Sequence, residues 1–202
     1  LAKGSDYTVE QNTADHKFTI TFGGNYSGCA ETSYTVSSDA LEASAEGYTG
    51  VYDGEEHSIA VTAPEDAAVT YSDRADGAYA DTAITLKDAE TKTVYWKAVQ
   101  GEKEVAGSAV ITIAPAELTI AVLDQSVPVG AAVPSLETPA AGTHYTVSGL
   151  CGSDELATAP TLSYEGTPDT SSAGSFAIKA GGADAGGNYT IRYMDGTLTV
   201  YS

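Results

Sequence analysis

Three histidines, two cysteines and a cluster of aspartates are the residues of this chain best suited to acid–base, nucleophilic or metal chemistry. His16, His57 and His144 are widely spaced, and a triad or a zinc site needs side chains that converge within bonding reach. Glu55-Glu56-His57 is a polar turn rather than an H-E-x-x-H zinc helix, and no G-x-S-x-G, P-loop or dinucleotide fingerprint occurs. Asp73, Asp76, Gly77 and Asp81 form the densest acidic patch. With Gly77 at the sixth place of a calcium loop, Arg74 falls at a ligand place and Ala83 where a bidentate Glu is needed, so the patch reads as a solvated acidic loop. Cys29 and Cys151 follow turn positions far apart in sequence and are expected to be free thiols. A thiol hydrolase would need His144, Cys151 and an acid in one pocket. The expectation is no catalytic residue, no cofactor site and no metal site. Asn25-Tyr26-Ser27 and Asn188-Tyr189-Thr190 match the glycosylation sequon but also suit a turn and a strand start.

The elements that would hold such groups are strands. Phe18, Ile20 and Phe22 alternate with Thr, as do Leu118 and Ile120, and period-two alternation gives each run one apolar face. The only helical signal is Ser153-Asp154-Glu155-Leu156-Ala157, enough for one short turn near 153–157. Asp195-Gly196 between two alternating runs predicts a hairpin pairing Tyr193 with Leu198 and Ile191 with Val200. A second long hairpin is predicted from Thr93 to Ile113 around Gln100-Gly101-Glu102, with Trp96 as a core anchor; a sugar-stacking Trp is the alternative. Tyr189 and Tyr193 could likewise form a stacking platform, although the register places Tyr193 on the apolar face.

Composition narrows the function. The 202 residues carry 28 acidic and 9 basic side chains, a formal net charge of −19, which argues against nucleic acid and anionic membrane surfaces as partners. Hydrophobic residues are 42 % of the chain, too many for a disordered one. Strand-rich units end at Val36, Ile113 and Val200, with short junctions at Ser37-Ser38-Asp39 and Ala114-Pro115-Ala116. The expected organisation is a partial β repeat at 1–37, read as the second half of a module in a fragment lacking its first half, then modules at 38–115 and 116–202.

The residues of these units resemble repeats of large bacterial surface proteins. Tyr52-Asp53-Gly54-Glu55-Glu56-His57, Val69-Thr70-Tyr71-Ser72 and Thr93-Val94-Tyr95-Trp96-Lys97 are similar to a YDG-type repeat. Leu118-Thr119-Ile120, Val147-Ser148-Gly149-Leu150, Gly187-Asn188-Tyr189-Thr190-Ile191 and Gly196-Thr197-Leu198-Thr199-Val200 resemble the MBG domain (YGX type) of adhesins. Gly4-Ser5-Asp6-Tyr7-Thr8-Val9 and Gly24-Asn25-Tyr26-Ser27-Gly28 resemble the second half of a related repeat. The family's early Tyr-Gly pair is replaced by Val129-Gly130, removing an aromatic plug.

The resemblance implies an all-β fold of tandem small Ig-like β-sandwich modules arranged end to end. It implies an extracellular, cell-wall-associated or secreted stalk or spacer without enzyme activity, adhering to a host or matrix; a carbohydrate- or mucin-binding module is the alternative. The expected partners are neighbouring repeat modules of the same chain and a host glycan or protein ligand, with no nucleic acid, no membrane and a monomeric state. The resemblance also places His57 at a strand start as a structural residue. It raises a Lys isopeptide cross-link, for which Lys97 would need an Asp because the 38–115 unit has no Asn.

Overall fold

The computed structural model describes residues 2–15, 17–34 and 40–202. His16 and the unit-ending Val36 lie outside the described residues. The chain divides into two compact units, Leu1–Ala40 and Leu41–Ser202. Among the described residues there is no helix.

The first unit is an antiparallel meander of β1 (Tyr7–Asn12), β2 (Lys17–Phe22) and β3 (Cys29–Ser33). Alternation puts Tyr7 opposite Phe22 and Val9 opposite Ile20, with Ala30 on the other side of Ile20. Phe18, Ile20 and Phe22 are half-buried.

In the second unit, residues 41–115 form β4 (Ser44–Glu46), β5 (Tyr48–Val51), β6 (His57–Ser58), β7 (Ala60–Thr62), β8 (Ala68–Ser72), β9 (Thr85–Leu86), β10 (Thr91–Gln100) and β11 (Lys103–Ala114). One sheet runs β5-β11-β10-β8; the short pairs β4-β7 and β6-β9 complete the module. The hairpin predicted from Thr93 to Ile113 is present as β10 and β11, closed by Gly101-Glu102 between the paired Gln100 and Lys103. Gly101 has φ +60°, the positive value a tight hairpin turn demands. Val94, Trp96 and Ala98 face inward and are buried. Trp96 is therefore a core residue, and its indole lies over Gly107, its cross-strand partner. A methyl group at Gly107 would stand 2.9 Å from the ring, so the glycine makes room for the indole.

Residues 116–202 form β12 (Ala116–Val122), β13 (Gln125–Pro128), β14 (Tyr145–Ser148), β15 (Thr161–Tyr164), β16 (Gly174–Gly181), β17 (Tyr189–Met194) and β18 (Gly196–Tyr201). They make two sheets, β14-β12-β17 and β13-β18-β16-β15, which enclose Val122, Leu136, Leu162, Ile178 and Leu198. The segment near 153–157 carries one turn, with the Asp154 N–H donating to the Cys151 carbonyl at 3.0 Å, and does not continue as helix.

The hairpin expected at Asp195-Gly196 does not form. β17 pairs in parallel with β12, whereas β18 pairs with β13 and β16 in the other sheet, so the chain crosses between sheets at Asp195. The inward residues are those that alternation selects: Tyr189, Ile191 and Tyr193 on one sheet, Leu198 and Val200 on the other. Alternation fixes which face a residue occupies, not which strand it meets, so both topologies satisfy it. Gly196 serves close packing. A Cβ there would lie 2.8 Å from Val122 Cγ1 and 3.0 Å from the Val122 carbonyl oxygen.

The modules at 41–115 and 116–202 share part of their core. Leu118 and Tyr189 belong to the same buried cluster as Trp96, Ile111 and Ile113, so the core of 41–115 runs on into one end of 116–202. Only Pro115 separates β11 from β12, so the ends of the two modules are held in direct succession.

Candidate functional site

Among the described residues a dense set of part-buried polar contacts lies on that seam. The pairing of β5 with β11 places Tyr52 at the module boundary, where its N–H donates to the Ala114 carbonyl at 2.8 Å. The Tyr52 hydroxyl crosses to the following module and donates to Asp154 Oδ2 at 2.9 Å. Tyr189, at the start of β17, donates to the same oxygen at 2.6 Å. Two phenols from two modules thus share one carboxylate oxygen, and their rings meet edge to face at 5.4 Å between centroids. The Cys151 N–H donates to the Tyr189 hydroxyl at 2.8 Å, and the Cys151 thiol to the Tyr52 carbonyl at 3.4 Å. Beside them Asn188 Nδ2 donates to Asp88 at 3.0 Å, and Asn188 Oδ1 accepts from the Ala89 N–H at 2.8 Å.

The electrostatics follow from these bonds. Hydrogen bonds from Tyr189 and then Tyr52 hold the Asp154 carboxyl below the usual carboxylate range. Burial, then the bond to Asp154, pushes the Tyr189 phenol up; for Tyr52 the bond to Asp154 comes first and burial second. The phenols therefore stay protonated donors and the carboxylate an ionised acceptor across the neutral range, which suits a lock and not proton transfer.

The histidines and cysteines do not assemble. His57 Nε2 lies 3.0 Å from Asp53 Oδ1 and 3.3 Å from the Tyr48 hydroxyl, with its ring stacked on Tyr48 at 3.9 Å. His144 Nδ1 accepts the Ala140 N–H at 3.0 Å, closing its own turn. Val122 pairs with Tyr145 and Thr119 with Ser148, which sets His144 and Cys151 beyond opposite ends of β14, so no thiol–imidazole pair forms. Cys29 and Cys151 are both free. Asp73, Asp76 and Asp81 are exposed, Asp73 beside Arg74 at 3.9 Å. Among the described residues no three His, Cys, Asp or Glu side chains are grouped to hold a metal. Lys97 pairs with Glu104 at 3.3 Å and lies over the Tyr79 ring, so the cross-link to an Asp is not set up. The Tyr193 hydroxyl accepts the Ala183 N–H at 2.9 Å, and the Tyr189 hydroxyl is engaged within the seam.

One structural repeat escaped the reading of the sequence. In the turn before β1, the Gly4 N–H donates to the Tyr7 carbonyl and the Ala2 N–H to Asp6 Oδ2; in the turn before β14, the Gly142 N–H donates to the Tyr145 carbonyl and the Ala140 N–H to His144 Nδ1. The shared pattern Gly-Ser/Thr-x-Tyr-Thr-Val, at Gly4–Val9 and Gly142–Val147, was the available signal. It marks His144 as a turn-forming residue, its Nδ1 doing the work of the Asp6 carboxylate.

The sheet pattern gives Tyr52 a counterpart. β13 runs parallel to β18 as β5 does to β11, and the Val129 N–H donates to the Tyr201 carbonyl as Tyr52 does to Ala114. The departure at Val129-Gly130 therefore falls on the place that Tyr52 holds in the preceding module. Residues 118–199 match the MBG domain (YGX type). In this MBG-type segment Gly130 keeps φ +84° in a turn closed by the Ala131 N–H and the Pro128 carbonyl, while Val129 remains 41 % exposed.

No curated protein matches the chain. Among solved structures, the four N-terminal Ig domains of Dscam1 isoform 9.44 (crystallised with zinc) are similar at 10 % identity and TM-score 0.25, over 92 % of this chain and 54 % of that one. The chain thus spans about half the length of that structure. A titin I-band fragment is similar at 11 % identity and TM-score 0.29, over 100 % and 84 % of the two chains. The fold class, all-β with Ig-like sandwich modules, is carried here by the strand topology itself. No helix among the described residues is long and apolar enough to cross a membrane.

Proposed function

We propose that the chain is a non-catalytic structural repeat region of a bacterial cell-surface protein, a stalk or spacer that presents an adhesive part to a host or matrix. The observation that carries this reading is the joint at Tyr52, Asp154 and Tyr189. A carboxylate locked by phenols from two successive modules, over a continuous apolar core, holds those modules at a fixed angle. The match of residues 118–199 to the MBG domain supports it. In this reading the principal partners are neighbouring modules of the same chain, the protein is an extracellular monomer, and the acidic surface keeps the repeats soluble and apart. A host ligand would bind outside the seam, whose polar groups are already paired.

The test is location. Antibodies raised against the chain should label intact cells of the organism that encodes it, and external protease should remove the signal without lysis. Signal only after permeabilisation overturns the reading.

A further inference from the structure

The outer face of the β10/β11 hairpin carries a groove of about 390 Å³. Val94, Trp96 and Ala98 point into the core, so Tyr95 and Lys97 point away from it. Their cross-strand neighbours are short: Ser108 and Ala106 on β11, Ser72 and Thr70 on β8. Long side chains flanked by short ones leave a trough in the sheet face. The loop after β8 walls it. That loop leaves at Ser72 and returns at Ala80, which exchanges both backbone hydrogen bonds with Tyr71, at 2.7 and 2.9 Å. Tyr79 stands at its end, its hydroxyl donating to the Ala75 carbonyl at 3.2 Å.

The wall is fixed. Ser72 shares the outward register of Tyr95, yet only 3 % of it is exposed, because Gly77 lies over its hydroxyl. A Cβ on Gly77 would come within 2.5 Å of Ser72 Oγ. The Gly77 N–H donates to the Arg74 carbonyl at 3.1 Å, and the Arg74 N–H to Ser72 Oγ at 3.3 Å. A loop already ordered in this way adds little entropy loss when a ligand binds.

The lining is mixed. Two phenol rings border the groove, and Lys97 Nζ lies 4.7 Å from the Tyr79 ring centroid and 3.3 Å from Glu104. Among the described residues the Tyr95 hydroxyl has no hydrogen-bond partner. Aromatic rings beside a carboxylate and an ammonium suit a pyranose. Its C–H face packs on a ring, and its hydroxyls donate to the carboxylate and accept from the ammonium. Charge selects among sugars. Asp73, Asp76, Asp81 and Glu104 outnumber Arg74 and Lys97 around the groove, which disfavours an anionic sugar.

We propose that the groove between Tyr79 and Tyr95 binds a neutral sugar residue, held by the rings and by the Lys97–Glu104 pair. The proposal deepens the adhesive reading and rests on it: it gives the 41–115 module a glycan contact built from residues that the seam does not use.

Chemical-shift titration of the ¹⁵N-labelled whole chain tests it. The probes are the methyl glycosides of glucose, galactose, mannose, N-acetylglucosamine and N-acetylgalactosamine, with methyl glucuronide as the anionic counterpart. At least one neutral glycoside should shift the amides of Tyr79, Tyr95, Lys97 and Ala106 to Ser108. Its Kd should be on the order of 1 mM, as for about a dozen heavy atoms binding at the efficiency of drug-sized ligands. Tyr95→Ala, which removes an aromatic wall, should weaken that binding about tenfold or more. Glu104→Gln should do the same by removing a charged acceptor, and serves alone if the alanine variant does not fold, since Glu104 is exposed. Silence with every neutral glycoside well above that Kd overturns the proposal, as do shifts confined to other residues, wild-type affinity in Glu104→Gln, or tighter binding of the glucuronide. None of these outcomes alters where antibodies label the cell, so the site and the surface reading fail separately.

Discussion

Truncating Leu118 to alanine tests whether the seam is shared. Leu118 lies in β12, on the C-terminal side of Pro115, yet it has no exposed surface and belongs to the cluster of Trp96, Ile111 and Ile113. Removing the isopropyl group beyond its Cβ loses about 2.4 kcal/mol of transfer free energy, at roughly 0.8 kcal/mol for each of three methylene-sized groups. A cavity contribution brings the cost into the range of about 2–5 kcal/mol seen for buried Leu→Ala changes. A loss of about 3 kcal/mol should lower the melting midpoint by roughly 6–12 °C for a cooperative unit of this size. If 41–115 and 116–202 unfold together, that loss also appears in the preceding module. Amide hydrogen exchange in β10 and β11 should accelerate by about 10²-fold where it proceeds by global opening. Exchange monitored by NMR or mass spectrometry reads both modules in one sample. Fast exchange confined to residues 116–202, with the Val94–Ala98 amides unchanged, would refute a shared core.

Two further outcomes follow from the same geometry. Asp154 is held below its ordinary range, so its bonds to Tyr189 and Tyr52 stabilise the fold above the unfolded carboxylate pKa; that contribution should be lost as pH falls through the lower, folded value. Acid titration of the melting midpoint should therefore show an acid-side loss that is smaller in Asp154→Asn, and parallel curves would count against the lock. Gly107→Val places a branched side chain where the Trp96 indole lies, and overpacking of this kind costs about 1–3 kcal/mol or more. The readout is Trp fluorescence, which should shift to the red as the indole is pushed toward water; an unshifted spectrum at native stability would show that the ring has other room.

Much of the fold is legible in residue types. The β10/β11 turn was readable because Gly101 supplies the positive φ and the flanking alternation agrees with it, so local and long-range preferences coincide. Trp96 was readable as core because a large aromatic on the apolar face of a long hairpin has few other places to go. The Asp195-Gly196 crossing was not. A hairpin and a crossover between facing sheets bury the same residues, and the deciding facts are that Val122 fills the space beside Gly196 and that β12 offers β17 a parallel partner.

The seam was legible in its parts only. Tyr52 stood out within the YDG-like segment, but Asp154 and Tyr189 lie 102 and 137 positions further along, and neither carries a local mark of its role. Their function comes from the chain passing through Pro115 and returning Tyr189 beside Ala116, a consequence of topology that no period in the sequence records. His144 shows the converse. Its place in a turn repeated at Gly4–Val9 was available from the sequence and would have marked it as structural before any distance was known.

The fixed joint between residues 41–115 and 116–202 is the claim on which the functional proposal depends. Backbone ¹⁵N relaxation on the full chain measures it directly. Amides of β10 and β11 should report the same rotational correlation time and diffusion tensor as those of β16 and β18. Two distinct correlation times, or inter-module motion on the nanosecond scale with Tyr52 and Tyr189 in their native environments, would contradict it.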